Sequence, residues 1–317
     1  MPGDAIIKVC GLEKEYEGIP ALKPISFEVG EGDVFGFIGP NGAGKTTTMR
    51  ILATLLEPSR GEAFVAGASV VDQPEEVRRQ LGYMPDYYGV YEGVTVEEYL
   101  HFFAASYHIP RRQRRTIVRD VMELTDLSKI SWKLIEGLSK GMRQRLCLAK
   151  TLVHDPKVLI LDEPAAGLDP RARIELRVLL KELQRIGKTI MISSHILTEL
   201  ADICNTVGII EQGELLALGD IETIRRKLLP HRVLTIKIAG DEGAVSRARE
   251  IAAADPKAAS VEAATDSTLR VMWTGEEKEI YTLVRALVVQ DIPIVGLYEE
   301  KANLENLFMQ ITKGEVA

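Results

Sequence analysis

Short apolar runs recur along the chain up to about residue 220, and each one ends where a loop of small, polar or charged residues begins. The clearest of these runs are Val34–Ile38, Val158–Leu161 and 189–192. Four or five apolar residues in a row are typical of strands that are buried on both faces. We therefore predict central strands of a sheet at these positions.

Longer segments between these runs repeat their apolar residues every three or four positions. One such face carries Met142, Leu146, Ala149 and Leu152, and a second helical pattern covers 174–183. This spacing predicts amphipathic helices. Strands that alternate with helices indicate an α/β fold around a largely parallel sheet, in which ligands bind beyond the carboxyl ends of the strands.

The pattern changes near residue 225, where the segment RRKLLPHR contains Pro230 and is typical of a connection between folding units. We predict one domain at 1–225 and a second at 226–317. In the second domain the sequence predicts strands and helices in the order β-α-β-β-α-β, followed by a last helix. Their ranges are 233–239, 244–254, 260–264, 268–273, 277–289, 294–299 and 304–311. This order resembles a small ferredoxin-like α+β unit. Since no catalytic cluster lies in it, we expect a regulatory or contact module.

Composition narrows the function classes. The chain of 317 residues carries 39 Lys and Arg against 46 Asp and Glu, a net charge of −7, which disfavours a protein that coats nucleic acid. No apolar run is long enough for a membrane-spanning helix, and the start reaches charged residues too soon for a signal peptide, so we expect a cytoplasmic location. Cys10, Cys147 and Cys204 lie far apart and predict buried thiols instead of a disulfide or zinc framework.

A glycine-rich loop of the form GxxxxGK[ST] follows the strand that ends at Ile38 and opens a predicted helix at 46–52. Its residues are Gly39, Pro40, Asn41, Gly42, Ala43, Gly44, Lys45, Thr46 and Thr47. Backbone N–H groups of such a loop point at phosphate oxygens, and the start of the helix adds partial positive charge. Lys45 contributes a full charge, and Thr46 offers a hydroxyl to Mg²⁺. The alternative is a glycine-rich turn with a chance lysine.

Two adjacent carboxylates, Asp162 and Glu163, follow the apolar run Val158–Leu161. One aspartate can hold a metal ion, and Glu163 can then polarise a water molecule for attack on a γ-phosphate. Adjacent acids at the end of a strand could instead cap the start of a helix. The phosphate-binding loop upstream favours the first interpretation.

The segment Leu138-Ser139-Lys140-Gly141-Met142 opens another predicted helix. Taken by itself, it indicates only that Ser139 is the N-cap of this helix. Together with the loop and the acid pair, it resembles the ATP-binding cassette (ABC) ATPases, in which an LSGGQ-like segment of one subunit caps ATP held by the other. The resemblance covers roughly residues 5 to 220. It implies a P-loop NTPase core with a helical subdomain at about 87–150, bound ATP and Mg²⁺, and contacts from Ser139 and Gly141 to the nucleotide of a partner.

The same resemblance implies roles for three further residues. Tyr16 falls where the family stacks an aromatic ring on adenine, although a core tyrosine is the alternative. Asp169 lies in the segment that matches the family's D-loop. His195 ends the strand predicted at 189–194 and matches the switch histidine, which contacts the γ-phosphate and acts as a sensor more than as the base; the alternative is a structural histidine.

Two positions depart from the family pattern. Asp86 stands where a glutamine is common; its carboxylate could reach Mg²⁺ through water, or it could be a turn residue before Tyr87. The signature segment has Lys140 and Met142 in place of Gly and Gln. LSKGM resembles the variant of drug-resistance and ABC-2 type exporters, and the ending around 303–308 resembles, more weakly, the accessory domain after some exporter ATPases.

The resemblance therefore implies an exporter's ATPase subunit that dimerises head to tail and drives a separately encoded membrane permease at the inner face of the plasma membrane. A soluble ABC-family ATPase acting on ribosomes or DNA, and a nucleotide-gated docking module, are the alternatives. Tyr87, Tyr88 and Tyr91 lie near where the family's permease docks. The basic cluster of Arg111, Arg112, Arg114 and Arg115 is interpreted as a solvated face or helix cap, or as a contact to an acidic permease loop or anionic leaflet.

Overall fold

The computed structural model describes most of the chain. The described residues are 5–87, 89, 91, 93–196, 200, 203–220, 223–224, 232–240 and 242–300. They form two compact units that divide between residues 221 and 222. The domain boundary at residue 225 stays a prediction, and the helix predicted at 304–311 lies outside the described residues.

A six-stranded, largely parallel sheet forms the centre of the first unit. Its strands in spatial order are β10 (Glu214–Gly219), β9 (Thr206–Glu211), β3 (Val34–Ile38), β8 (Thr189–Ser194), β7 (Val158–Leu161) and β6 (Leu81–Met84). All neighbours pair in parallel except β9 and β10, which are antiparallel. Every residue of β3, β7 and β8 is buried, because helices or a second sheet cover both faces of apolar runs of this kind. The parallel α/β core is thus confirmed.

Loops connect several core strands to the helices that follow them. They are α1 (Lys45–Leu52), α2 (Pro74–Gln80), α3 (Val96–Ser106), α4 (Arg111–Leu124), α5 (Lys140–Leu152) and α6 (Pro170–Arg185). Helix α6 begins four residues before the apolar pattern does, with Pro170 in its first turn and the Asp169 side chain accepting a hydrogen bond from the Ala172 amide at 2.9 Å. The sequence pattern missed this first turn because it contains no large apolar residue.

An antiparallel sheet that the sequence pattern did not predict packs on the same core. Its order is β2 (Ile19–Gly30), β1 (Ala5–Tyr16), β4 (Arg60–Val65) and β5 (Ala68–Ser69). Phe27 of β2 stacks on Phe35 of β3 with ring centroids 5.2 Å apart, which joins the two sheets in one apolar core. Tyr16 is the last residue of β1, one of the two longest strands of this sheet.

Helices α3, α4 and α5 make up most of a helical subdomain, with two 3-10 turns at Ser128–Ile130 and Ile135–Gly137. The start of α3 is fixed by a capping box in which Thr95 and Glu98 bond to each other's backbone amides. Helix α4 starts at Arg111 after Pro110, and the Arg114 guanidinium bonds to the Ile109 carbonyl at 2.7 Å. Part of the arginine cluster therefore closes the start of this helix.

The second unit has the order β-α-β-β-α-β. Its elements are β11 (Arg232–Ile238), α7 (Glu242–Ala253), β12 (Ala258–Thr265), β13 (Thr268–Trp273), α8 (Ile280–Val289), preceded by a 3-10 turn at Glu277–Glu279, and β14 (Ile294–Glu300). The sheet order is β12-β13-β11-β14 and every pair is antiparallel, as in a ferredoxin-like unit. Trp273 is fully buried under the two helices.

The three cysteines are free thiols, of which Cys147 is buried while Cys10 and Cys204 are half-buried. Burial was thus predicted correctly for Cys147 alone. In the part of the chain that the structure describes, no helix combines the length and apolarity needed to cross a bilayer.

Candidate functional site

The glycine-rich loop joins β3 to α1 at the edge where the parallel strands end. The Gly39 amide donates to the Ser194 carbonyl at 3.3 Å, and the Gly213 amide donates to the Ala43 carbonyl at 3.0 Å, so neighbouring strands hold both arms of the loop. Gly44 is the N-cap of α1 and has no side chain to cap it. The amides of the first helical turn, which lack partners within any helix, are therefore left to bind a ligand.

Two glycines of this loop are required by its geometry. A Cβ at Gly39 would lie 2.2 Å from the Ile210 carbonyl oxygen, and one at Gly44 would lie 2.5 Å from Leu22 Cδ2. Gly44 also has φ of +104°, which residues with a Cβ rarely adopt. The loop can pass this close to its neighbours only because both positions lack a side chain. These constraints argue against the alternative interpretation of the loop as an ordinary glycine-rich turn.

Lys45 reaches back across the loop and meets the second acidic residue of the sheet edge. Its Nζ donates to the carbonyls of Gly39 at 2.6 Å and Pro40 at 3.1 Å, and it lies 3.3 Å from Glu163 Oε1. The side chains of Lys45 and Glu163 are only 6 % and 13 % exposed. This ion pair therefore forms in a site with little water, directly beside the loop.

Glu163 continues this chain of contacts to His195. Its Oε2 lies 2.9 Å from Nδ1 of His195, whose side chain is 44 % exposed. The backbone of Glu163 has φ of +48°, a conformation that costs energy for a residue with a side chain and that often accompanies function. Lys45, Glu163 and His195 thus form one line of contacts. The helix-cap interpretation of the acid pair is wrong, because the next helix starts only at Pro170.

Asp162 lies beneath this line and is 1 % exposed. Its amide donates to the Met84 carbonyl of β6 at 2.8 Å, and its Oδ1 accepts a 2.7 Å hydrogen bond from Ser193 Oγ. Burial raises the pKa of Asp162, and the nearby Ser193 and Thr46 side chains oppose that rise. Its other oxygen, Oδ2, is buried and has no hydrogen-bond partner among the described residues.

This arrangement fits a hard cation. A buried orphan carboxylate oxygen beside the Thr46 hydroxyl offers the oxygen ligands that Mg²⁺ prefers. Among the described residues, no group of three or more His, Cys, Asp or Glu side chains is assembled for a metal ion.

Asp86 lies close enough to contribute to this electrostatic environment. It is exposed, lines a cleft together with Asp162 and Glu163, and its charge adds to the rise in the pKa of Asp162. The same cleft is lined by Lys140, Arg143 and Gln144 of α5. Asp86 is thus placed with the acids of the site, although a water-mediated metal contact stays a prediction.

The signature segment and the D-loop pack against each other within one copy of the chain. The Ser139 side chain caps α5 by accepting from the Met142 amide at 3.3 Å, as its N-cap pattern predicted. A Cβ at Gly141 would be 3.6 Å from Leu168 Cδ2, and the Lys140 ammonium lies directly over Gly167. Ser139 is exposed, so its hydroxyl is accessible from outside the chain.

Tyr16 is the last residue of β1 and is 46 % exposed, so the core interpretation of this tyrosine is wrong. The Lys14 ammonium lies 5.2 Å from its ring centroid. A half-exposed ring offers a face for stacking on a planar base. Its contact with adenine stays a prediction.

Exposed aromatic residues lie near the helical subdomain. Tyr87 is 88 % exposed and Tyr91 is 55 % exposed; Tyr91 contacts Phe102, with ring centroids 5.6 Å apart. Tyr88 lies outside the described residues. Large exposed aromatic side chains in a group are typical of a protein contact surface.

Ser193 is the residue that the sequence analysis missed. Its hydroxyl contacts both acids of the site, since it donates to Asp162 and accepts from the Glu163 amide at 2.8 Å. The available signal was the pair Ser193-Ser194 at the end of an otherwise apolar strand, immediately before His195. Buried hydroxyls at the edge of a sheet need partners, and here the partners are the candidate catalytic groups.

Comparisons with known proteins agree with this geometry. The family profile described as ABC transporter matches residues 22–166, and a profile described as AAA domain, putative AbiEii toxin, Type IV TA system matches residues 131–202. The chain is 31 % identical over 312 residues to the uncharacterized ABC transporter ATP-binding protein YcbN of Bacillus subtilis, covering 98 % of this chain and 97 % of YcbN.

Two further similarities differ in how much of the chain they cover. It is 31 % identical over 318 residues to the Nod factor export ATP-binding protein I of Ralstonia nicotianae, covering 98 % of this chain and 95 % of that protein. The solved structure of cbiO1 from Clostridium perfringens, part of the ABC transporter complex cbiONQ, matches with a TM-score of 0.63 and 31 % identity, over 70 % of this chain and 94 % of cbiO1. The chain therefore belongs to the family of ABC transporter ATP-binding proteins and is an ATP hydrolase with the P-loop NTPase fold.

Proposed function

We propose that this ATPase is the energising subunit of an exporter, and that it couples the binding and hydrolysis of ATP to movements of a separate membrane permease. The observation that carries the proposal is the line of contacts from Lys45 through Glu163 to His195, beside the buried Asp162. A phosphate-binding lysine, a carboxylate and a histidine that meet at one sheet edge suit the transfer of a phosphoryl group to water.

Nucleotide phosphates bind to the loop from Gly39 to Thr47 in this proposal. The amides at the start of α1 donate to phosphate oxygens, and Tyr16 stacks on the adenine. Lys45 can bind a phosphate only by giving up part of its contacts with Glu163 and with the two loop carbonyls. Binding of ATP thereby exchanges an internal ion pair for an ion pair with the substrate, and it releases Glu163.

Glu163 is then the group that accepts a proton from, or orients, the attacking water. His195 lies on the far side of the carboxylate, and its Nδ1 contact with Oε2 leaves Nε2 to sense the γ-phosphate. Thr46 and Asp162 are the residues that would hold Mg²⁺, with Asp86 as a third contact. When bound, this ion neutralises charge on the phosphates.

A second copy completes the site in this proposal. Ser139 is exposed at the start of α5, and Asp169 is exposed at the start of α6. Within one chain, the Ser139 side chain accepts from the Met142 amide and the Asp169 side chain accepts from the Ala172 amide, each in the first turn of its own helix. Two copies that meet head to tail bring Ser139 and Gly141 of each to the ATP on the other, and the pair closes by two-fold symmetry.

Loss of the γ-phosphate removes a contact that both copies share, so the pair opens after hydrolysis. The direction of transport is inferred from the Nod factor export protein, whose similarity spans both units of this chain. A permease partner is inferred from cbiO1, which is part of a transporter complex. The exposed Tyr87 and Tyr91 are the surface that we assign to this partner.

The experiment compares phosphate release by the native chain with release by Lys45→Met. Removal of a preorganised cationic contact to the transferred phosphate lowers turnover by about 10²–10³-fold. Lys8→Met is the matched control, since Lys8 forms an exposed ion pair with Glu28 at 3.5 Å, away from the loop. Native turnover in Lys45→Met would contradict the assignment of the site, and failure to co-purify with any multispanning protein from detergent extracts would contradict the permease coupling.

A further inference from the structure

Ser193 occupies a position that no part of the proposed mechanism uses. It is the penultimate residue of β8 and is 1 % exposed. Its Oγ lies 2.7 Å from Asp162 Oδ1 and 2.8 Å from the Glu163 amide nitrogen. One hydroxyl therefore bridges two adjacent residues of the neighbouring strand end.

The bridge lies where the backbone pairing of the sheet stops. The ladder between β7 and β8 ends with Leu161 paired to Ile192. The Asp162 amide bonds to β6 through the Met84 carbonyl, and the chain then turns at Glu163 with φ of +48°. The Glu163 amide has left the ladder, and its acceptor is a side chain instead of a strand carbonyl.

The two hydrogen bonds determine each other's direction. A serine hydroxyl has a single proton, and a carboxylate at Asp162 can only accept it. The proton is therefore directed at Asp162 Oδ1, which leaves the lone pairs of Oγ for the Glu163 amide. This fixes the rotation of the Asp162 carboxylate, whose other oxygen, Oδ2, has no protein partner among the described residues.

We propose that Ser193 is a positioning residue for ATP hydrolysis. Its single hydroxyl holds the carboxylate of Asp162 and the backbone of Glu163 in a fixed orientation relative to each other. The proposal rests on the roles given above to Asp162 and Glu163. Ser193 itself touches no substrate. Its contribution is to keep Glu163, a strained residue two positions after β7, in the orientation that places its side chain between Lys45 and His195.

The test substitutes Ser193→Ala in the full chain. The change leaves a carboxylate oxygen and an amide buried without their partner, and the loss of a partner that orients a ligand lowers activity by about 10–100-fold. We expect this loss in kcat, with KM for ATP changed by less than about threefold, because the backbone hydrogen bonds that hold the phosphate-binding loop at Gly39 and Ala43 do not involve Ser193. Amide hydrogen exchange at Glu163, measured without nucleotide, should accelerate.

A control and a rescue separate positioning from general damage to the strand. Thr189→Val is matched, since Thr189 is a fully buried residue of the same strand whose hydroxyl accepts from the Gly32 amide at 2.9 Å. It should lower stability but leave kcat and the exchange of Glu163 unchanged. Ser193→Thr keeps the hydroxyl and should recover most of the kcat. If Ser193→Ala does not fold, Ser193→Cys, which is close in size but bonds weakly, replaces it.

The outcomes also distinguish this inference from the proposed function. Native kcat and native exchange at Glu163 in the alanine variant would overturn the role of Ser193, while a loss of turnover in Glu163→Gln still supports the site. An equal loss of kcat in Thr189→Val would overturn it as well. If Glu163→Gln turns over normally, the role of the carboxylate fails, and the positioning proposal fails with it.

Discussion

Replacement of Glu163 by glutamine is the sharpest perturbation of the site, because it removes one charge and almost no volume. The Glu163 carboxylate is 3.3 Å from the Lys45 ammonium, and both side chains are largely shielded from water. At this separation and an effective dielectric constant of about 20, the attraction is about 5 kcal/mol before the cost of desolvation is subtracted. The variant loses this attraction, so Lys45 becomes freer to bind phosphate.

Two opposite effects on ATP are therefore expected from Glu163→Gln. The Kd for ATP should stay at the native value or fall, because the internal competitor for Lys45 is gone. Turnover should fall by about 10²–10⁴-fold, which is the usual contribution of a positioned general base. Calorimetric titration with ATP measures the first effect, and single-turnover phosphate release measures the second.

Glu182→Gln provides the control, since Glu182 forms a surface ion pair with Arg185 in the last turn of α6. It should bind and hydrolyse ATP as the native chain does. The reasoning is refuted if Glu163→Gln hydrolyses ATP at the native rate, which would remove Glu163 from the reaction. A large loss of ATP affinity would equally refute the competition between the carboxylate and the phosphates for Lys45.

Three further predictions concern the rim of the site and its supports. Tyr16→Ala should raise KM for ATP by about 2–10-fold with kcat unchanged, whereas Tyr16→Phe should keep both; an unchanged KM in the alanine variant removes the stacking role. Gly44→Ala, which strains a φ of +104° and collides with Leu22, should weaken ATP binding at least about tenfold, while Gly67→Ala, at φ +81° in open space, should not; equal effects would contradict the clash. Burial lowers the pKa of His154, so the fold disfavours its charged form, and stability measured by urea unfolding should fall as pH drops below about 6.5; His154→Gln should flatten this dependence.

The central strands could be predicted from sequence because nothing competes with their pattern. Val34–Ile38, Val158–Leu161 and Thr268–Trp273 are found with the predicted bounds, since unbroken or strictly alternating apolar residues leave one register that buries them. The antiparallel strands Ala5–Tyr16 and Ile19–Gly30 were missed, because several register shifts break their alternation.

The sequence predicted which residues form the site, but it did not predict the distances between them. Residue type and order are enough to bring Lys45, Asp162, Glu163 and His195 to one sheet edge, because parallel strands end on the same side. The ion pair of Lys45 with Glu163 and the hydroxyl bridge of Ser193 depend on distances across strands that are far apart in sequence. No local pattern encodes those distances, so only the folded chain reveals them.

The central claim is that ATP is held between two copies of this chain, and the mass of the Glu163→Gln protein in the presence of magnesium and ATP tests it most directly. The account predicts one copy without nucleotide and two copies with ATP, measured by light scattering on a sizing column. Ser139→Asp in the same background keeps the helix cap but places a negative charge against the phosphates, so it should bind ATP and remain a single copy. Glu163→Gln protein that binds ATP and still elutes as one copy would contradict the account.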